Sequence, residues 1–263
     1  MLSTPLLQSI SINRCHIIRA HTNRPGISYN VSVSSTDKQA QNLLVNAVLD
    51  RLKTSDPNFR CLVYCRKRSD VDKIAKLLGC KPFHAKVSES DRKTSYEDWV
   101  SGKEQVLVCS SLLGCGIDVS GVQVVYHFQT PWSILDFAQE SGRAGRGGEK
   151  VESHVFASKE EEEEHPDEDQ FGKKLMRDWV LQVSTCRRIA LSSFLDGLAI
   201  SCILLQNGSL CDVCRQKRSE GHPGCPTKLI PPPMSSKDYP IIKPLPLIPS
   251  SAKYTKERID YQE

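Results

Sequence analysis

The run Cys61-Leu62-Val63-Tyr64-Cys65, together with Val106-Leu107-Val108-Cys109, decides the fold of this chain. Successive side chains of a β-strand point to opposite faces of the sheet, so a strand that is apolar at every position must be buried on both faces. Both runs therefore predict central strands of a parallel sheet. Parallel strands need crossover connections, usually helices, so the sequence predicts an α/β domain.

The pattern around these two runs extends the α/β prediction over residues 26–158, where apolar bursts alternate with amphipathic stretches. Helices should cover both faces of the sheet. The predicted strands are Ile27 to Val33, Arg60 to Cys65, Pro82 to His84, Gln105 to Cys109, Gln123 to Phe128 and Ser153 to Ala157. The predicted helices are Lys38 to Lys53, Ser69 to Leu78 and Glu89 to Val100.

Composition excludes several classes of protein. The 263 residues are 39% hydrophobic and 25% charged, as in an ordinary globular chain. No apolar run approaches the roughly 20 residues of a membrane span, and the N-terminus lacks the pattern of a secretory signal. We therefore expect an intracellular protein without a membrane partner. The net charge of +4 is too small to indicate a polyanion partner by itself.

Three segments follow the predicted α/β domain. Residues 159–170 are strongly acidic and predict a solvated hinge. Residues 171–225 form a small cysteine-bearing segment with a helical first half, and residues 226–263 are rich in proline and predict a disordered tail. The chain has eleven cysteines and no secretory signal, which favours reduced thiols or metal ligands over a disulfide framework.

The stretch from Gln139 to Gly148 carries the strongest chemical signal, because Arg143 and Arg146 stand three positions apart among small residues. On one helical face they would present two guanidinium forks to a single polyanion such as a triphosphate. Arginine there would stabilise charge on a transferring phosphoryl group. Taken alone, the same stretch fits a basic, glycine-rich surface loop equally well.

A second signal, Gly114-Cys115-Gly116-Ile117-Asp118, precedes this stretch and follows a buried-strand pattern. Ligands of parallel sheets gather at the carboxyl ends of strands, where glycine allows close backbone approach and aspartate accepts from a hydroxyl. By itself the motif is a weak signal and is more typical of a simple turn. The two signals in this order point to a nucleotide site.

Together these motifs indicate a protein family: residues 20–157 resemble the C-terminal RecA-like lobe of RecQ-type DNA helicases, in helicase superfamily two. The fold implied is a parallel sheet of the P-loop NTPase type. Asn23, Lys86 and Ser110 depart from the family pattern, which has phenylalanine, glycine and threonine there. The matching stretches are Arg24-Pro25, Cys61 to Ser69 (motif IV), His84-Ala85, Val106 to Asp118 (motif V) and Gln139 to Arg146 (motif VI).

The resemblance implies roles for individual residues. Arg143 and Arg146 would be the catalytic arginines facing the nucleotide, with Arg146 as the arginine finger. The implied ATP contacts are Gly116, Asp118, Gln139, Arg143 and Arg146. The implied DNA contacts are Arg66, Arg68, His84 and Ser110, although Arg66 and Arg68 are equally well explained as ordinary solvated charge.

The cysteine-bearing segment is similar to the zinc module that follows the motor in RecQ proteins. The implied ligands are Cys186, Cys202, Cys211 and Cys214, where Cys211 and Cys214 form a C-x-x-C turn. The spacing from Cys202 to Cys211 is wider than the family's, so Cys225 and His222 remain alternatives for the fourth ligand. Reduced cysteines in a small core are the competing interpretation. Because an acidic hinge precedes the segment, we expect it to unfold separately from the sheet.

Motifs of the first helicase lobe are missing from the printed sequence, which has no Walker A loop, and its one Asp-Glu pair, Asp167-Glu168, lies in the acidic stretch and not after a predicted strand. Residues 1–25 look like the end of such a lobe with its linker, so we expect the N-terminal lobe to be missing and the chain alone to be inactive. The function implied is the C-terminal motor lobe of an ATP-dependent 3′-5′ DNA helicase, acting on single-stranded and duplex DNA. The resemblance places such a protein in DNA repair and recombination, in the nucleus of a eukaryote. The alternatives are a non-catalytic nucleic-acid-binding fragment and the lobe of a superfamily-two RNA helicase.

Overall fold

A computed structural model of the chain describes residues 22–111, 119–161, 172–205 and 207–222. Within these ranges six strands form one sheet in the order β1-β6-β5-β2-β4-β3, and all neighbours are parallel. The strands are β1 (Ile27–Ser34), β2 (Arg60–Cys65), β3 (Pro82–Phe83), β4 (Val106–Cys109), β5 (Val122–Phe128) and β6 (Val151–Ser158).

Seven α-helices lie in the same described ranges, together with a 3-10 turn at Cys202–Leu204. They are α1 (Asp37–Thr54), α2 (Arg68–Leu78), α3 (Glu89–Val100), α4 (Ile134–Ser141), α5 (Lys173–Leu181), α6 (Arg187–Asp196) and α7 (Asp212–Ser219). The predicted strands and helices of residues 26–158 are confirmed, with ends displaced by no more than two residues. The predicted end of α2 is also correct, because Gly79 stops it in a left-handed conformation with φ 71°.

The central strand β2 shows why both faces of the sheet had to be covered. Leu62 and Tyr64 belong to one apolar cluster, whereas Cys61, Val63 and Cys65 belong to the other. Helices α1 and α2 cover the second cluster, and helices α3 to α7 contribute to the first. The predicted fold class, a RecA-like parallel sheet with helices on both faces, is confirmed.

The cysteine-bearing helices share the first cluster with the sheet. Trp179 on α5 lies 4.7 Å from Phe137 and 6.3 Å from Tyr29, measured between ring centroids. Cys186, Cys202 and Cys211 belong to the same buried cluster as Ile27 on β1. This packing argues against separate unfolding of the segment, since its removal would expose the core of the sheet.

Arg188 on α6 anchors the segment to the chain that enters β1. Its side chain donates to the carbonyls of Arg24 at 2.9 Å and Pro25 at 3.0 Å, and also to the Ile27 carbonyl. A further hydrogen bond of 2.8 Å joins it to Asn23 Oδ1. With 1% of its surface exposed, Arg188 adds donors to these carbonyls, two of which also accept from the backbone N–H groups of Ile27 and Ser209.

We expect Arg188→Met to lower the free energy of unfolding by about 3 kcal/mol, because the charge-assisted hydrogen bonds that join α6 to the chain entering β1 would be lost. Urea denaturation followed by circular dichroism measures this loss. Arg218→Met, at an exposed position on α7, is the matched control and should change stability by less than about 0.5 kcal/mol. Equal stability of the two variants would show that Arg188 does not anchor the segment.

Several predictions fall outside the described residues. They are the greater part of the first-lobe remnant in residues 1–25, most of the acidic stretch, and the proline-rich tail. No helix of the described residues is both long enough and apolar enough to cross a membrane.

Candidate functional site: arginine turn, strand ends and cysteine cluster

The two predicted catalytic arginines lie in a turn after α4, not on a helix. Ser133 starts α4 by accepting from the Asp136 backbone N–H at 3.1 Å, and the helix ends at Ser141. Gly145 then adopts φ 65°, and a Cβ there would come within 2.9 Å of Val151. The prediction of one helical face was therefore wrong, because the turn needs a left-handed glycine between the arginines. Arg143 is half-buried and Arg146 is exposed.

Arg24 fixes the shape of this arginine turn, which comprises residues 142–147. Its guanidinium donates to the carbonyls of Gly142 at 3.2 Å, Ala144 at 3.1 Å and Gly145 at 2.6 Å. Because all three carbonyls accept from the planar Arg24 guanidinium, this one side chain orients the backbone that carries Arg143 and Arg146. The sequence marked Arg24 only by its Arg-Pro resemblance and gave no sign of this clamp.

The buried side chains of Glu140 and His127 connect the arginine turn with the ends of β2 and β5. Glu140 Oε2 lies 3.1 Å from His127 Nε2, and the His127 ring stacks on Tyr64 with centroids 5.6 Å apart. Burial raises the pKa of the Tyr64 hydroxyl well above its usual value, while the nearby positive charge of Arg143 opposes that rise. The half-buried Arg143 therefore lies near Tyr64.

The other predicted nucleotide contacts divide into described and undescribed residues. Gln139 lies exposed on α4, beside a cavity of about 260 Å³ that Arg24 also lines. Gly116 and Asp118 lie outside the described residues. Their roles in ATP binding stay predictions.

The predicted DNA contacts follow the carboxyl ends of neighbouring strands, as expected for ligand-binding residues of a parallel sheet. Arg66 follows β2 and Ser110 follows β4, with the Ser110 backbone N–H donating to the Phe83 carbonyl at 3.1 Å. Arg68 is exposed at the start of α2. Because β2 and β4 are adjacent in the sheet, the three residues lie at the same carboxyl-terminal edge of the sheet.

His84 occupies the same edge but is only 5% exposed. Its Nε2 lies 2.9 Å from Asp72 Oδ1, and its Nδ1 accepts from the Lys86 backbone N–H at 3.2 Å. These bonds make Nε2 the protonated nitrogen. The ring therefore positions the loop between β3 and α3, and its predicted direct contact with DNA finds no support in this geometry.

The four predicted zinc ligands come together as a buried cysteine cluster, which comprises Cys186, Cys202, Cys211 and Cys214. Their sulfurs all lie within 4.8 Å of one another. Cys186 Sγ is 3.5 Å from Cys202 Sγ and 3.9 Å from Cys211 Sγ. Four thiolates at about 2.3 Å from a tetrahedral zinc ion would have sulfurs about 3.8 Å apart, so the cluster has the size of a zinc site.

Backbone groups support the cysteine cluster. The Cys202 N–H donates to Cys186 Sγ at 3.3 Å, and the Cys211 N–H donates to Cys202 Sγ at 3.3 Å. Hydrogen bonds among the four cysteines lower the pKa of the Cys211 and Cys202 thiols and raise the pKa of the Cys186 and Cys214 thiols. The 3-10 turn that starts at Cys202 brings this residue back to the others despite its distance in sequence. His222 is exposed beyond α7, and Cys225 lies outside the described residues.

A buried ion pair connects the cysteine cluster to β1. Arg187 donates to both carboxylate oxygens of Asp212 at 3.0 Å, and Asp212 Oδ2 also accepts from the Val31 backbone N–H at 3.0 Å. Both residues directly follow a cysteine of the cluster in sequence. Sequence reasoning missed this pair, because only the fold brings α6 and α7 beside β1.

Residues 40–148 match the family described as the helicase conserved C-terminal domain. The "Putative ATP-dependent DNA helicase Q1" of Caenorhabditis briggsae is 35% identical over 50% of this chain and 22% of that protein. The ATP-dependent DNA helicase RecQ of Pasteurella multocida is 30% identical over 57% of this chain and 23% of that protein. The pre-mRNA-processing ATP-dependent RNA helicase PRP5 of Yarrowia lipolytica is 29% identical over 41% of this chain and 12% of that protein.

The fold and these matches agree in what the chain is similar to: residues 40–148 are similar to the conserved C-terminal domain of helicases. More narrowly, its homologues include the RecQ-type DNA helicases. The chain spans only about a fifth of the length of the first DNA helicase relative above.

Proposed function

We propose that this chain is the C-terminal motor lobe of a RecQ-type helicase that couples ATP hydrolysis to 3′-5′ movement on single-stranded DNA and to duplex unwinding. One observation carries the RecQ branch of this proposal: the buried cysteine cluster is built into the core of the lobe through Arg187, Asp212 and Arg188. Motifs V and VI do not depend on a cysteine cluster, so an RNA-helicase lobe with the same two motifs would not need one. We further propose an intracellular protein, nuclear in a eukaryote, that acts in DNA repair and recombination.

In this proposal the arginine turn supplies half of a nucleotide site. Arg146 is exposed, so its guanidinium is accessible to a phosphate, and Arg143 is held closer to the interior beside Tyr64. A first lobe would supply the Walker A loop and the carboxylates for Mg²⁺. Because the printed sequence has neither motif, the 263-residue chain by itself should hydrolyse ATP only at background rate.

We propose Zn²⁺ as the metal of the cysteine cluster. Four thiolates are a typical ligand set for structural zinc, and the sulfur separations fit its tetrahedral geometry. A bound zinc ion would contribute folding free energy to the surrounding helices.

The test of this function joins the chain to a first lobe of a RecQ-type relative in one polypeptide. We expect unwinding of a DNA duplex with a 3′ overhang, little unwinding of the 5′-overhang duplex, and one equivalent of zinc per chain. Unwinding of an RNA duplex alone would favour the RNA-helicase alternative, whose support is the similarity to the Yarrowia RNA helicase. Nucleic-acid binding without ATP-dependent unwinding would favour a non-catalytic fragment.

We expect binding of single-stranded DNA to be independent of sequence and to weaken steeply with salt, because the proposed contacts are to phosphates. Fluorescence anisotropy at several salt concentrations gives the slope of log affinity against log salt. Arg68→Ala should reduce the magnitude of this slope by about 0.7, the value for one phosphate of a single strand. Lys53→Ala, at the exposed end of α1, should leave the slope unchanged. A slope near zero, or a strong preference for one sequence, would contradict phosphate binding.

A further inference from the structure

A groove lies at the carboxyl ends of β5 and β6, and apart from Arg66 its residues have no role in the function described so far. Its volume is about 330 Å³, and four basic side chains line it: Arg66, Lys159, Lys173 and Arg177. Trp132 lies at the same groove with 37% of its surface exposed. The Arg66 guanidinium stacks 3.9 Å above the centroid of the Trp132 ring. We call this the strand-end groove.

One carboxylate, that of Glu161, lies in the strand-end groove among these cations. It accepts from the Thr130 backbone N–H at 3.0 and 3.1 Å and from the Ser158 backbone N–H at 3.1 Å. Arg66 Nη1 lies 4.0 Å from Glu161 Oε2, and 9% of the Glu161 side chain is exposed. Backbone donors from the ends of two strands and one guanidinium thus surround a single anion.

The same geometry shows that the first residues of the predicted acidic hinge contact the strand ends, although Lys159 and Glu160 are exposed. Glu160 also bonds inward, with its Oε2 accepting from the Asp37 backbone N–H at 3.0 Å. Residues 162–170 lie outside the described residues. The start of the acidic stretch therefore contacts the strand ends, because unpaired backbone N–H groups there need acceptors.

We propose that the strand-end groove binds a segment of single-stranded nucleic acid, and that Glu161 holds the position of one phosphate in the free protein. Charge and shape support this occupant. Among the described residues that line the groove, four are cationic and one is a carboxylate, and an exposed tryptophan can stack on a base, which is the usual combination in single-strand sites. Arg66 makes the groove continuous with the strand edge already assigned to the DNA backbone. The identity of the strand as DNA rests on the proposed function.

Binding in the groove would displace the Glu161 carboxylate, so Glu161 acts as an intramolecular competitor of phosphate. Glu161→Gln removes the charge but keeps an oxygen that can accept from Thr130 and Ser158. We expect this variant of the full chain to bind oligo-dT about tenfold more tightly, because charge-assisted hydrogen bonds no longer have to be broken. Fluorescence anisotropy at constant salt measures the change.

Glu152→Gln is the matched control, since Glu152 lies near the start of β6, at the opposite end of that strand from Glu161, and pairs with Arg51 at 2.8 Å. It removes the same charge and should change affinity by less than about twofold. The gain from Glu161→Gln should also depend on Arg66. In an Arg66→Ala background we expect most of the gain to disappear.

Trp132 provides an independent spectroscopic readout. The other two tryptophans, Trp99 and Trp179, are 0% and 1% exposed, so quenching of emission by oligo-dT would report on Trp132. Trp132→Ala should weaken binding about tenfold and abolish the quenching, whereas Trp132→Phe should keep most of the affinity because phenylalanine also stacks.

The outcomes separate this inference from the proposed function. Equal affinity of wild type and Glu161→Gln, a gain that persists without Arg66, or the absence of oligo-dT binding in every variant would overturn the inference. Preferential binding of poly-glutamate over oligo-dT would also overturn it and identify an acidic peptide as the occupant. Failure of the two-lobe protein to unwind DNA, with the Glu161→Gln gain intact, would overturn the proposed function alone.

Discussion

Replacing Arg146 with alanine is expected to lower the DNA-stimulated ATP turnover of a two-lobe protein about 10³-fold, the scale of an arginine finger. Arg146 is exposed in a turn whose backbone is held by Arg24, so it can reach a γ-phosphate with little rearrangement of the chain. Its planar fork stabilises charge that spreads over the phosphoryl oxygens in the transition state. A steady-state assay of phosphate release, at saturating single-stranded DNA, measures the loss.

Lys150→Ala is the control for the Arg146 variant, because Lys150 is an exposed cation just beyond the same turn. Its turnover should stay within about twofold of wild type, since exposed charges that make no specific contact contribute little. Nucleotide binding measured separately distinguishes a catalytic loss from a loss of affinity. Turnover of Arg146→Ala within tenfold of wild type would remove Arg146 from the catalytic role.

Cys211→Ser is expected to abolish metal binding and to destabilise the whole lobe in a single transition. Structural zinc contributes on the order of 10 kcal/mol of binding free energy at neutral pH, which becomes folding free energy when the site forms only in the folded chain. The cysteine cluster belongs to the same buried cluster as β1 and α4, so its loss cannot stay local. Chelation of the wild-type protein should have the same effect.

Metal analysis of the purified protein and thermal melts followed by circular dichroism test this prediction. Cys80→Ser, at a half-buried position beyond α2 and on the other face of the sheet, should keep its zinc and its melting temperature within a few degrees. Zinc retained in Cys211→Ser would show that the cluster is only a reduced core. Two separate transitions on chelation would show that the segment folds independently after all.

The sequence predicted most of what depends on local patterns. The apolar runs of β2 and β4 required burial on both faces, and the structure places their side chains in two clusters. The four cysteines could be chosen because a C-x-x-C pair fixes two ligands and the family resemblance supplied the others. Helix and strand ends were predictable where a periodic pattern meets a cap such as Gly79.

The features that were missed depend on contacts between distant parts of the chain. Arg188 bonds to the Pro25 carbonyl, and Arg24 bonds to Gly145, across more than 100 residues in each case. No periodicity encodes such a contact. The helical face proposed for Arg143 and Arg146 failed for a related reason, because tertiary packing against Val151 selects the left-handed turn at Gly145.

Arg24 also connects the chain that enters β1 to two other parts of the lobe. Through its side chain this residue holds the arginine turn, and through its carbonyl it accepts from Arg188 of the cysteine-bearing helices. A pull on the chain ahead of β1 would load both connections at once. Tension in that segment would therefore displace the arginine turn and the cysteine-bearing helices together, because Arg24 connects both to the same point of the chain.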